Sequence, residues 1–143
     1  MRNKILYLDF DGVLHPTSLG IESFFCKASL LDALISQQAV SLVISSSWRF
    51  THSLDQLREK LSPRLSKRVT DITGSPVIGK NARFQEIRNY LNENSKYSDW
   101  RALDDSYWEF PNHCKELIRC NPNSGITDRE IKLLQDWLKT NDF

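Results

Sequence analysis

Ile5-Leu6-Tyr7-Leu8-Asp9-Phe10-Asp11-Gly12-Val13-Leu14 is the stretch from which the rest of the chain is read. Residues 5–8 are a continuous apolar run, the pattern of a strand buried on both faces, and the run breaks off at Asp9, with Asp11 and Gly12 behind it. In an open parallel sheet, ligands bind outside the carboxyl ends of the strands. Two carboxylates at the end of a buried strand are therefore placed for chemistry, and they want a cation.

Downstream of this stretch, residues 15–27 are broken by Pro16 and Gly20 and read as a loop, with Phe24 and Phe25 anchoring it in the core. Leu30, Leu31, Leu34 and Ile35 predict a helix over 29–38, and the apolar run 39–44 predicts a second strand that ends in Ser45-Ser46-Ser47-Trp48-Arg49. Leu54, Leu57 and Leu61 predict a helix over 53–62 that Pro63 stops. Residues 65–72 are ambiguous, with Val69 and Ile72 in a short third strand as one reading. Phe84, Ile87, Tyr90 and Leu91 predict a helix over 81–92. A strand over 100–103 ends in Asp104-Asp105, a last strand covers 116–120, and a closing helix covers 127–138. Strands alternating with helices predict an α/β fold, a three-layer Rossmann-like parallel sheet with helices on both faces, as a single domain over 1–143.

A chain of 143 residues can bury about 70% of its unfolded surface, enough for a core without staples. Its 19 basic and 18 acidic residues carry no overall signal for a polyanionic partner. Cys26, Cys114 and Cys120 form no metal-ligand pair and leave one unpaired under any single disulfide, which favours a reducing compartment. No apolar run reaches the length of a membrane span, so the expectation is a cytoplasmic protein without membrane contact.

With the strands parallel, Asp9, Asp11, Ser45, Asp104 and Asp105 project from one edge. Two like charges about 4 Å apart repel by roughly 4 kcal/mol at an effective dielectric of about 20. Four such carboxylates need protonation or a divalent cation. Oxygen donors without thiolates or paired imidazoles suit Mg²⁺ better than zinc, which makes Asp9, Asp11, Asp104 and Asp105 the candidate metal ligands. Arg49 can clamp a phosphate or pair with the acidic cluster.

Asp9-Phe10-Asp11-Gly12-Val13 resembles the first motif of the haloacid dehalogenase superfamily, Mg²⁺-dependent phosphohydrolases with an aspartate nucleophile. Leu42-Val43-Ile44-Ser45 resembles its second motif, a hydroxyl ending a strand, with Ser46 the competitor one step on. Its third motif is a basic residue before a helix. Lys80 fits the superfamily at large, whereas Arg83-Phe84-Gln85-Glu86-Ile87 resembles the Arg-x-x-Glu-Ile of a small subgroup that also carries Ser-Ser-Trp-Arg and Leu-Asp-Asp and is associated with RNA repair.

The resemblance implies that Asp9 becomes an aspartyl phosphate and that Asp11 serves as acid, then base. It implies Mg²⁺ on the Asp9 carboxylate, the Asp11 carbonyl and Asp104 or Asp105. Ser45 or Ser46 would hold phosphoryl oxygens, Lys80 or Arg83 would cancel their charge, and Gly12, Ser46 and Arg49 would face the substrate. An acid at position 11, where phosphoenzyme ion pumps carry threonine, implies a phosphatase. Too little chain separates the elements for a cap domain, so the expected site is open and the expected substrate large, with phosphorylated RNA or DNA ends as candidates.

Residues 74–81, Gly-Ser-Pro-Val-Ile-Gly-Lys-Asn, follow phosphate-loop spacing except at Asn81, where a Ser or Thr belongs. Pro76 lacks a donor and Val77 and Ile78 are bulky, so the match reads as coincidence. A P-loop nucleotide-binding domain is nevertheless the alternative function, with a non-catalytic phosphate- or partner-binding module of the same fold behind it. Among the histidines only His15 lies near the acidic pair. Trp48 and Trp108 are the tryptophans suited to stacking on a base, and the basic run from Arg58 to Arg68 reads as a solvated helix face.

Overall fold

The computed structural model describes residues 4–20, 22–35, 38–95 and 99–140. Five parallel strands, β1 (Lys4–Leu8), β2 (Ser41–Ile44), β3 (Val69–Ile72), β4 (Asp99–Asp104) and β5 (Leu117–Arg119), form one sheet in the order β3-β2-β1-β4-β5. The helices are α1 (Ala28–Ile35), α2 (Leu54–Glu59), α3 (Pro63–Arg68), α4 (Ala82–Tyr90) and α5 (Asp128–Leu138). No helix among the described residues is long and apolar enough to cross a membrane.

Strand alternation divides the core between the two faces of the sheet. Leu6, Leu8, Leu42, Ile44, Leu103 and Ile118 pack against α1, α2, α3 and α5 through Leu31, Leu57, Leu65 and Leu134. Ile5, Tyr7, Val43, Trp100 and Ala102 face the other way, under Ile87 of α4 and Leu91. The sheet is thus covered on both faces, as an all-parallel sheet requires. The chain adds strands outward from β1 to β3, then crosses back to place β4 on the other flank of β1. That reversal opens a crevice at the carboxyl ends of β1 and β4.

Local chemistry explains where the elements stop and start. Ser53 and Gln56 form a reciprocal capping box at the start of α2. Pro63 does not end that helix. It occupies the first turn of α3, where its missing N–H costs nothing, and Ser62 accepts from the Leu65 N–H at 3.2 Å. The helix predicted over 53–62 is therefore α2 alone, which ends at Glu59 with residues 60–62 outside it, and the ambiguous segment 65–72 resolves into the rest of α3 followed by β3. Helix α4 ends at Tyr90 and runs into a π-turn at Leu91–Ser95. Residues 36–37 of the helix predicted over 29–38 lie outside the described residues, and Gln38, its predicted end, is not helical. Phe25 anchors the 15–27 loop, while Phe24, expected beside it in the core, is 57% exposed. Between β1 and α1, and between β3 and α4, the described residues form only loops and turns, and neither segment is long enough to hold a cap domain.

Candidate active site

Backbone register sets the positions of the candidate residues. Leu8 pairs with Ile44 on one side and Leu103 on the other, so Ser45, Asp9 and Asp104 leave the sheet at one level. The Asp9 N–H donates to the Leu103 carbonyl at 3.1 Å and the Ser45 N–H to the Leu8 carbonyl at 3.0 Å, extending the ladder one residue past the strands. Asp9, Asp104 and Asp105 are buried, and each offers a carboxylate oxygen within 4.8 Å of the others. Gly12 holds φ at +75°, and a Cβ there would overlap the Asp105 carboxylate, so the close approach of the two loops requires glycine.

Arg83, in the first turn of α4, reaches into this cluster. Its Nη1 donates to Asp104 Oδ2 at 2.7 Å and lies 3.5 Å from Asp9 Oδ1, with Glu86 and Glu109 at 3.6 and 3.9 Å from its other nitrogens. Arg49 donates to the Ser45 and Ser46 carbonyls at 2.8 and 3.1 Å and to the Gly74 carbonyl at 3.2 Å, and its Nη2 lies 3.0 Å from Glu86 Oε1. Of the two roles open to Arg49, the structure shows pairing with an acid. Glu86 joins the two arginines, and its second oxygen accepts the Val77 N–H at 3.0 Å.

Five carboxylates, those of Asp9, Glu86, Asp104, Asp105 and Glu109, surround two guanidinium groups, so charge is left uncompensated. Burial, with the neighbouring Asp104, holds the Asp9 carboxyl well above the usual carboxylate range against the pull of Arg83. Burial raises Asp104 as well, opposed by Arg83 and the Ser106 N–H. Burial works against the charge on Arg83, but Asp104 and Asp9 outweigh it and hold the guanidinium above its usual range. An all-oxygen, net-negative donor set that resists ionisation fits a hard divalent cation, which would relieve the repulsion.

The acidic cluster contains three carboxylates, not four. Asp11 is turned away from it and is 48% exposed, with Oδ1 2.8 Å from His15 Nε2 and Oδ2 accepting the Trp48 indole N–H at 3.1 Å. His15 is buried and its Nδ1 accepts the Phe25 N–H at 3.1 Å, so Nε2 carries the proton and donates it to Asp11.

The paired alternatives occupy different environments. The Ser45 hydroxyl is buried and has no hydrogen-bond partner among the described residues, whereas Ser46 Oγ accepts the Trp48 N–H at 3.2 Å and caps the 3₁₀ turn Ser47–Phe50. Asp105 lines the open cavity, while Asp104 is fully buried and bound by Arg83 and by the Ser106 N–H at 2.8 Å. Lys80 is exposed and makes no ion pair among the described residues, in contrast to Arg83. Residues 74–81 follow the edge strand β3, with Ile78 98% exposed and the Val77 N–H already given to Glu86, so this loop does not curl as a phosphate cradle. The cavity over the carboxylates holds about 520 Å³, lined by Asp9, Asp11, Arg49, Arg83 and Asp105, with Trp108 exposed at its edge.

Sequence reasoning missed Glu109, the pairing role of Glu86 and the Trp48 indole as a donor to Asp11, although it placed His15 near the acidic pair. Glu86 was marked by its spacing from Arg83 and His15 by its spacing from Asp11, but nothing local marks Trp48, whose indole arrives from 37 residues away.

A parallel α/β sheet whose switch point carries a buried carboxylate triad facing an arginine defines a domain of the haloacid dehalogenase class, a superfamily of hydrolases and phosphatases. More narrowly, the chain belongs to the family described as the HAD domain in Swiss Army Knife RNA repair proteins, whose model matches residues 5–131. No curated protein and no solved structure matches the chain.

Proposed function

We propose that the protein is a Mg²⁺-dependent phosphomonoester phosphatase acting through an aspartyl phosphate on Asp9, with phosphorylated nucleic-acid ends as its substrates. The observation that carries this reading is the buried Asp9–Asp104–Asp105 triad with Arg83 bound across it. Bound Mg²⁺ would neutralise the carboxylates and the incoming phosphoryl group, on ligands from Asp9, Asp105 and the Asp11 backbone carbonyl, with Asp104 behind them.

An Asp9 carboxylate oxygen attacks phosphorus as the bond from phosphorus to the ester oxygen breaks, and the Asp11 carboxyl proton passes to that oxygen. Asp11, now a carboxylate, takes a proton from water, the water oxygen attacks the aspartyl phosphate, and orthophosphate leaves with Asp9 restored. Arg83 rather than exposed Lys80 compensates charge on the transferring group, and the unpartnered Ser45 hydroxyl donates to a phosphoryl oxygen. Arg49 and Glu86 fix Arg83 and the strand ends, and Gly12 lets the loops close over the phosphate. The open cavity and the description of the family support a nucleic-acid end over a small metabolite.

The test is phosphate release from an aryl phosphate and from 3′- and 5′-phosphorylated RNA, with and without Mg²⁺. Asp9→Asn is expected to lower release by about 10³-fold or more, as loss of a nucleophile does. Release that needs no metal, or that survives in Asp9→Asn, would overturn the mechanism.

A further inference from the structure

The phosphate cavity has a neighbour. A second cavity of about 740 Å³ shares Asp11 and Ser47 with it as lining and continues past Phe24, Phe25, Trp48 and His52, with Lys60 in its wall. Its aromatic rings brace one another. Phe24 and Phe25 meet Trp48 edge-on at 5.7 and 5.4 Å between centroids, and the His52 ring stacks on Trp48 at 5.4 Å. The Lys60 ammonium lies 5.8 Å from the Trp48 ring centre and has no ion-pair partner among the described residues. Phe25 and Trp48 rest on the core with one side partly exposed and Phe24 is 57% exposed, so together they give the cavity an aromatic wall.

Position tells which part of a substrate this wall meets. On the proposed function, on which this inference rests, Asp11 gives its proton to the leaving-group oxygen, so the leaving group lies on the Asp11 side and extends into the second cavity. We infer that this cavity is a nucleoside subsite. It takes the base of the terminal nucleotide against Phe24, Trp48 and His52, while Lys60 receives the adjoining phosphodiester. A cavity of about 150 Å³ holds a benzene ring, so this one is roomy for a lone phenyl ring and suits a base with its ribose. The unpaired lysine favours an anionic polymer over a phosphotyrosine peptide.

The experiment compares kcat/KM for a 3′- or 5′-phosphorylated oligoribonucleotide, the matching nucleoside monophosphate, ribose phosphate and a phosphotyrosine peptide, in the wild type, Phe24→Ala and Lys60→Gln. The oligonucleotide is expected to exceed ribose phosphate by about 10-fold or more, the range of one base stacked on an aromatic ring, and Phe24→Ala should remove most of that ratio. Lys60→Gln should lower the oligonucleotide towards the monophosphate and flatten its salt dependence. Equal values for the oligonucleotide and ribose phosphate, or preference for the peptide, would overturn the subsite. Equal values for the oligonucleotide and the monophosphate would overturn the role of Lys60.

A second measurement needs no turnover: the indole N–H resonance of Trp48 in Asp9→Asn, titrated with a nucleoside monophosphate and then with ribose phosphate. A shift only with the nucleotide supports the subsite even if no phosphate ester is ever hydrolysed, in which case the proposed function fails alone. Hydrolysis without base preference and without a shift at Trp48 overturns the subsite and leaves the phosphatase standing.

Discussion

Asp11 is held by two neutral donors of different origin, the imidazole of His15 from the same loop and the indole of Trp48 from the turn after β2. Each hydrogen bond contributes about 1 kcal/mol, so the two together set which way the Asp11 side chain points. Trp48→Phe keeps an aromatic side chain, though a smaller one, and removes the donor. Its expected effect is a loss of about tenfold or more in kcat with little change in Mg²⁺ affinity, and steady-state kinetics over a Mg²⁺ titration would check it. Equal losses in both would mean that Asp11 reports on the metal rather than on the leaving group. Gly12→Ala should act differently, because its strained φ and its overlap with Asp105 deform the metal side, so weakened Mg²⁺ binding is expected to accompany lost turnover. Asp9 and Asp11 were legible because acids interrupting an apolar run contradict the burial around them. The orientation of Asp11 was not, since it depends on a ring whose place is fixed only when β1 and β2 pair.

Helix α4 carries the two residues that tie the site together, Arg83 and Glu86, one turn apart on its buried side. Glu86 pairs with both Arg49 and Arg83 and is the one carboxylate ion-paired with Arg49 among the described residues, so its removal leaves the buried Arg49 guanidinium without an ion pair while Arg83 keeps Asp104. Breaking a buried pair costs about 3–5 kcal/mol. Glu86→Ala is accordingly expected to lower Tm by many degrees, with Glu86→Gln intermediate because it keeps a hydrogen-bonding group. A thermal melt of both variants decides this, and an unchanged Tm in Glu86→Ala would show that solvent already screens the pair. Elements of this size differ in how visible they are in sequence. The 11-residue α5 shows clear periodicity and a Thr127–Glu130 cap, in which the Glu130 carboxylate accepts the Thr127 N–H at 2.8 Å. Six-residue α3 is too short for periodicity to register. Its Ser62-Pro63 start signal serves equally as a stop for the preceding helix, and only the observed cap at Ser62 separates the two.

Across the whole molecule, the strand order assembles the site. Carboxylates from β1 and β4 meet because the chain reverses its direction of growth at that boundary, and alternation of strands with helices made this edge foreseeable without giving the order itself. The assembly has a thermodynamic consequence. The native fold holds the Asp9 carboxyl above its ordinary range through burial and the nearness of Asp104, so near neutral pH the ionised Asp9 is less stable in the fold than in the unfolded chain. Asp9→Asn removes that charge with nearly the same shape. In metal-free buffer Asp9→Asn is therefore expected to melt above the wild type. Mg²⁺ should reverse the order, because a ligand at 100 times its Kd stabilises the native state by about 2.7 kcal/mol and the variant lacks one of the proposed ligands. Differential scanning calorimetry of both proteins with Mg²⁺ and with a chelator would separate the two effects. A wild type that melts higher in both buffers would mean that Arg83 and Arg49 already balance the cluster, and the case for a cation at the switch point would fall with it.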